Sequence, residues 1–187
     1  YKNLEKEVDH SAGLKLNGAL SIAQTDSRWQ ELKRQATTAQ LYDVNLSILN
    51  KDEIKKKYQM MSTEDLKGGV FMPGDGSADP SGVTHMLAKG ARKGGAKIYE
   101  QSPVETILTK NGRVHGVRVN GQNVECEYVV LATGMWSRQI GEKIGVSIPL
   151  YPAEHFYVIT EPIEKLSPTL PVIRDFDSSV YFKEDAG

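Results

Sequence analysis

Residues 127–137, EYVVLATGMWS, carry an apolar run, 128–132, straight into Thr133-Gly134, with an aromatic residue and a serine opening the segment that follows. Glycine at 134 has no Cβ, so the backbone there can approach a ligand closely. A hydrophobic strand that ends in such a turn is how open α/β sheets present ligands at their carboxyl ends. His155 could do proton chemistry, since an imidazole titrates near pH ~6.5 and can accept or relay a proton. It stands among Phe156, Val158 and Ile159, where composition alone favours a structural histidine. Tyr157 alternates with His155 along the same run and is expected on its face, as pocket lining or as core. Arg174 carries a planar fork suited to a carboxylate, although Asp175 and Asp177 stand beside it as ordinary ion-pair partners.

Other candidates lead nowhere. Gly74-Asp75-Gly76 imitates a phosphate cradle, but its acid would repel phosphate and no lysine-serine pair follows. His85, His115 and Cys126 show no metal-ligand spacing, so no metal site is expected. Cys126 alternates with Val124 and Tyr128 and reads as a small buried hydrophobe. Gly-x-Gly-x-x-Gly occurs nowhere in the chain.

The elements that must position these groups follow from periodicity and punctuation. Residues 1–10 read as the tail of a helix. Residues 19–23 form a short strand, and Asp26 or Ser27 caps a helix whose apolar positions are Trp29, Leu32, Ala36, Ala39 and Val44. Residues 46–49 form another strand, and Asn50 caps a polar helix with acids first and lysines later, as the helix dipole prefers. A strand at 69–72 leads through an irregular turn to a helix with Asp79 at its cap and Pro80 in its first turn. Val83, Met86, Leu87 and Ala91 make its apolar stripe. Gly94-Gly95 ends it, and residues 96–100 form a strand expected to join 69–72 in a parallel layer. Two Asn-Gly pairs, at 111–112 and 120–121, predict a meander of strands 104–109, 113–119 and 122–126. The 128–132 strand, a helix over 137–144 closed by Gly145, and strands at 155–160 and 180–183 complete the reading.

The 187 residues have a net charge of −1, from 23 basic and 24 acidic side chains, which gives no electrostatic case for a nucleic-acid partner. Hydrophobic residues make up 39%, a globular composition. No apolar run approaches the ~18 residues a membrane helix needs. The single cysteine rules out an intrachain disulfide and points to a reducing compartment, with the cytoplasm as default.

With these elements in place, the strings GGVFMPGDGSADPSGVTHMLAKGARKGGAKIYEQSPVETI, EYVVLATGMWSRQIGEKIGVSIPLYPAEHFYVITEPI and LPVIRDFDSSVYFKEDAG resemble a known family. It is the glycine-oxidase/sarcosine-dehydrogenase type of FAD-dependent amine oxidoreductases, within the D-amino acid oxidase superfamily. Dimethylglycine and sarcosine dehydrogenases are resembled in particular.

The resemblance implies a mixed α/β (α+β) fold, part of a two-domain enzyme. An FAD-binding α/β domain with a β-meander sits beside a substrate domain with an antiparallel or mixed sheet. The implied division is 1–61 for a helix tail and the first part of the substrate domain, 62–149 for the second part of the FAD-binding domain, and 150–187 for the rest of the substrate domain. The family's dinucleotide-binding turn and flavin-linking histidine are expected before residue 1. A further flavin-contacting segment, and often a folate-binding extension, are expected after residue 187. The chain is thus expected to be an internal fragment that binds little FAD alone.

By the same likeness, His155 and Tyr181 are the catalytic pair, facing one cavity. Val104 contacts FAD through its backbone, with Ala132, Thr133, Gly134 and Trp136 at the cofactor-facing turn; Tyr157 and Arg174, read from residue type and position alone, are the substrate-binding candidates beside them. The implied reaction is oxidative demethylation of an N-methylated glycine with hydride transfer to FAD, releasing formaldehyde. Implied partners are a small amine, and a folate or an electron acceptor reached through other parts. Self-association through an open edge of the 128–132 strand is a further expectation, and the mitochondrial matrix replaces the cytoplasm in a eukaryote. The alternative is a non-catalytic relative serving as a regulatory or interaction subunit, similar to the regulatory subunit of pyruvate dehydrogenase phosphatase.

Overall fold

The computed structural model describes residues 1–185. In chain order its elements are α1 (Lys2–Val8), β1 (Ala19–Ala23), α2 (Asp26–Gln40), β2 (Ser47–Leu49), α3 (Lys51–Lys57), β3 (Gly68–Met72), α4 (Pro80–Lys93), β4 (Val104–Lys110), β5 (Arg113–Val119), β6 (Gln122–Glu125), α5 (Ser137–Glu142), β7 (Val172–Asp175) and β8 (Val180–Phe182). A single 3-10 turn, Gly134–Trp136, precedes α5. The chain divides into two units, Tyr1–Ala96 with Thr160–Gly187, and Lys97–Ile159.

The first unit is built on a five-stranded mixed sheet in the order β2-β3-β1-β7-β8. β1 runs antiparallel to β3 and parallel to β7, and the other neighbours are antiparallel. Alternation along the strands sends the two side-chain sets to opposite faces. Leu20, Ile22, Leu49 and Ile173 form one core with Ile54 of α3 and Leu66, flanked by Tyr58, Met61 and Phe71. On the other face Ala23 and Val70 meet Leu32 and Ala36 of α2, with Trp29 and Leu46 alongside. Full burial of a side chain such as Ile54 is worth about 1.5–3 kcal/mol, so α3 is held chiefly by its one apolar anchor.

Local chemistry sets the helix starts. At α3 the Asn50 side chain accepts the Glu53 N–H at 3.0 Å while the Asn50 N–H donates to the Glu53 carboxylate at 2.8 Å, a reciprocal cap. Asp79 accepts the Ser81 and Gly82 N–H groups at 3.1 and 2.8 Å, and Pro80 follows in the first turn of α4. For α2 the cap is Thr25, whose hydroxyl accepts the Arg28 N–H at 3.2 Å, one residue before the expected Asp26. α2 stops at Gln40, so Val44 lies outside it and is exposed. On α4, Met86 is buried against Val8 and Ala12, whereas Leu87 and Ala91 face solvent; the expected stripe is narrower than its periodicity implied because α1 and the segment after it cover the Met86 side of the helix.

The tip of the β7–β8 hairpin is fastened to the start of α2. Asp177 accepts from the Gln24 and Thr25 N–H groups at 3.0 and 3.3 Å and from the Arg28 guanidinium at 3.3 Å. Those bonds, the Gln24 N–H foremost, hold the Asp177 carboxyl below the usual aspartate range against a smaller opposing effect of desolvation. A carboxylate with a depressed folded-state pKa stabilises the fold fully above the ordinary aspartate value of about 3.9. That contribution is lost as pH falls through this value towards the folded one. Asp177→Asn should therefore lower the melting temperature at pH 7 and flatten its fall towards pH 3 relative to wild type. Parallel wild-type and variant curves between those pH values would show that Asp177 is not the linked group.

The second unit contains the three-stranded antiparallel meander β4-β5-β6, as the two Asn-Gly pairs predicted. Both pairs have positive φ at each position, 52° and 74° at Asn111-Gly112 and 49° and 74° at Asn120-Gly121. This is the turn geometry whose twist matches that of the flanking strands.

Three expected strands are not formed. Residues 96–100 form no strand, and Tyr99 is 73% exposed. β3, its expected parallel partner, is instead bracketed by the antiparallel strands β1 and β2. Residues 128–132 are irregular and form no strand, with Tyr128 and Val130 exposed. Residues 155–160 are likewise irregular, and Phe156 is 90% exposed. Strand propensity reports fit to a half-buried pleated surface, and none of these runs has such a neighbour in the structure. Cys126, one residue beyond β6, is only partly buried.

Candidate functional site

In the second unit, Val104 opens β4, pairs with Val119 and is 39% exposed. β4 is an edge strand, with a register shift between Val104 and Thr106. Edge strands leave backbone N–H and C=O groups on one side without a strand partner. The Val104 backbone therefore lies on an open sheet edge.

Ala132 and Thr133 lead into the 3-10 turn as exposed residues. Gly134 has φ +55°, and a Cβ placed on it would meet no atom within 4 Å. The backbone there is open to approach and in a conformation that favours glycine. The Thr133 and Ser137 hydroxyls lie 2.9 Å apart and tie the turn to the first turn of α5. Trp136 is 59% exposed, so it is not core filler. His155 and Tyr157 lie on the irregular segment after α5, and both are exposed, Tyr157 at 77%. A cleft of about 290 Å³ in this unit is bordered by Arg138, Glu142 and Tyr151 and includes none of the expected site residues.

In the first unit, Arg174 and Tyr181 are directly opposed across β7 and β8. Opposed residues of antiparallel strands rise from the same face, with Cβ atoms about 4.5–5.5 Å apart. Both are well exposed, Tyr181 at 62%. Arg174 does not pair with Asp175 or Asp177. The Asp175 carboxylate accepts the Asp177 and Ser178 N–H groups, and Asp177 is engaged by α2. Its partner is Asp75, with Nη2 3.4 Å from Oδ2. Asp75 comes from the Pro73–Ser77 loop that first looked like a phosphate cradle. Nothing local in the sequence could have revealed this partner, because the contact depends on β1 lying between β3 and β7 in the sheet.

The whole chain, residues 1–187, matches the family described as FAD dependent oxidoreductase, or DAO. The chain belongs to the FAD-dependent oxidoreductase (DAO) family. It is 35% identical over 187 residues to a human protein named sarcosine dehydrogenase, mitochondrial, covering 97% of this chain and 20% of that protein. It is 30% identical over 190 residues to the mouse mitochondrial pyruvate dehydrogenase phosphatase regulatory subunit, covering 100% of this chain and 22% of that one. Among solved structures it superposes on L-proline dehydrogenase from P. horikoshii with a TM-score of 0.88 at 26% identity, covering 99% of this chain and 50% of that one. The chain thus spans about a fifth of the length of the two curated relatives. Its mixed α/β fold is that of DAO-family oxidoreductases. No helix among the described residues is long and apolar enough to cross a membrane.

Proposed function

We propose that this DAO-family chain forms part of a flavoenzyme that oxidatively demethylates an N-methylated glycine of the dimethylglycine or sarcosine type. The observation that carries the reading is the exposed pair Arg174 and Tyr181 on one sheet face, a carboxylate-binding fork beside a phenol, in a chain of this family. The assignment of 62–149 to a cofactor domain, with 1–61 and 150–187 flanking it as the substrate domain, belongs to the same proposal.

FAD fits the second unit through the open turn of Ala132, Thr133 and Gly134, the exposed ring of Trp136 and the backbone at the β4 edge beside Val104. When bound, it supplies the acceptor for a hydride from the N-methyl carbon. This chain's residues do the rest. A protonated amine has no free lone pair, so on this reading His155 has the role of taking the ammonium proton on an imidazole nitrogen and Tyr181 that of a second catalytic group. Arg174 holds the substrate carboxylate, and Tyr157 is the second substrate-binding candidate of the same reading.

Folate or an external electron acceptor would engage other parts of the protein, in the cytoplasm or the mitochondrial matrix. The test is the visible spectrum of the flavin-loaded protein in the absence of oxygen. Dimethylglycine or sarcosine should bleach the flavin band and release about one formaldehyde per flavin. A flavin that neither amine bleaches overturns the proposal and leaves the regulatory role of the mouse relative as the better model.

A further inference from the structure

Asp75 has no part in the chemistry above, yet the fold fixes it beside Arg174. Its loop is anchored by the Gly18 N–H, which donates to the Asp75 carbonyl at 2.9 Å. Its carboxylate is held by the Gly76 N–H, which donates to Oδ1 at 2.8 Å. Oδ2 then lies 3.4 Å from the Arg174 guanidinium, a long single contact, and the two side chains are 29% and 44% exposed. A carboxylate offers about four lone-pair sites and a guanidinium five donors, so most of the capacity of both remains unfilled by this contact. Tyr181 stands opposite Arg174 on the same face. α2 covers that face over Ala23 and Val70, on β1 and β3.

We infer, on the amino-acid oxidation reading above, that Asp75 and Arg174 together form a two-charge recognition site for an α-amino acid zwitterion. Arg174 takes the carboxylate through its fork, and Asp75 faces the ammonium. In an α-amino acid the nitrogen is two bonds from the carboxylate carbon, so its charges are as close together as those of this side-chain pair. A γ-amino acid separates them by two further carbons and cannot satisfy both partners in an extended conformation. Asp75 also repels anions that bring no positive charge, and specificity is such a difference in affinities. Asp75 is thus a specificity determinant that Arg174 alone could not provide.

Trimethylglycine tests this directly, because a quaternary nitrogen has no lone pair and the probe binds without being oxidised. Its dissociation constant from the flavin-loaded protein is measured by calorimetry beside those of acetate and 4-(trimethylammonio)butanoate. Wild type should bind trimethylglycine tightest of the three. Asp75→Asn should weaken trimethylglycine about fivefold, the scale of an exposed ion pair, and should tighten acetate. An unchanged ratio of trimethylglycine to acetate in that variant overturns the inference. Should Asp75→Asn fail to fold, the wild-type ranking decides: trimethylglycine tightest supports the charge pair, and either other probe tightest overturns it. The demethylation reading fails separately. A flavin that dimethylglycine cannot bleach, in a protein that still ranks the probes as stated, removes that reaction and keeps the charge pair.

Discussion

Gly76→Ala should lower the melting temperature by about 5–15 °C, while Gly74→Ala two residues away should shift it by a degree or two at most. A Cβ at position 76 would lie 1.8 Å from the Lys15 carbonyl oxygen and 3.1 Å from the Asn17 side-chain oxygen. The first neighbour is backbone and cannot swing aside. Relief requires parting the bridge in which Lys15 and Ser77 exchange N–H···O bonds at 2.8 and 3.0 Å. Overpacking and two weakened hydrogen bonds together cost about 2–4 kcal/mol. For a chain of this size each kcal/mol is worth about 2–4 °C. At Gly74 an added Cβ meets nothing within 4 Å, and such a surface change stays within about 0.5 kcal/mol. Melting curves of the two variants decide the matter: equal shifts would mean that the 15–17 and 75–77 segments do not interlock as described.

His155→Gln should slow flavin reduction by dimethylglycine about 10²–10⁴-fold at neutral pH, the range that a positioned acid–base group contributes. Raising the pH should recover part of the loss, because the amine then loses its proton to solvent before it binds. Melting temperature should hardly move, since His155 lies on an exposed, irregular segment and such positions tolerate change. Stopped-flow reduction of the flavin-loaded variant, measured across pH, reads the effect. A rate within about threefold of wild type would remove His155 from the proton path and shift attention to Tyr181, whose change to phenylalanine makes the companion measurement.

Local signals carried much of the fold. The Asn50 and Asp79 caps, the Pro80 helix start and the two Asn-Gly turns all act through neighbouring residues, and all are present in the structure. The exposed backbone at Gly134 was legible for the same reason, since one residue's missing Cβ creates it. Family membership was legible too, because the strings that carry it are contiguous and the match runs over the whole chain.

Strand pairing was decided elsewhere. The runs 96–100, 128–132 and 155–160 have the composition of strands, but a strand exists only where a neighbouring strand meets its N–H and C=O groups in register, and none of the three is a strand in the structure. The antiparallel placement of β3 beside β1 joins segments about fifty residues apart, and the approach of Asp75 to Arg174, about a hundred residues on, follows because β1 also pairs with β7. By itself the sequence determined the caps, the turns, the meander and the family, all of which rest on chemistry within a few residues or on contiguous motif strings. Only the tertiary structure decided which strands found partners and which charge stands beside Arg174, because these are contacts between residues that local propensity cannot relate.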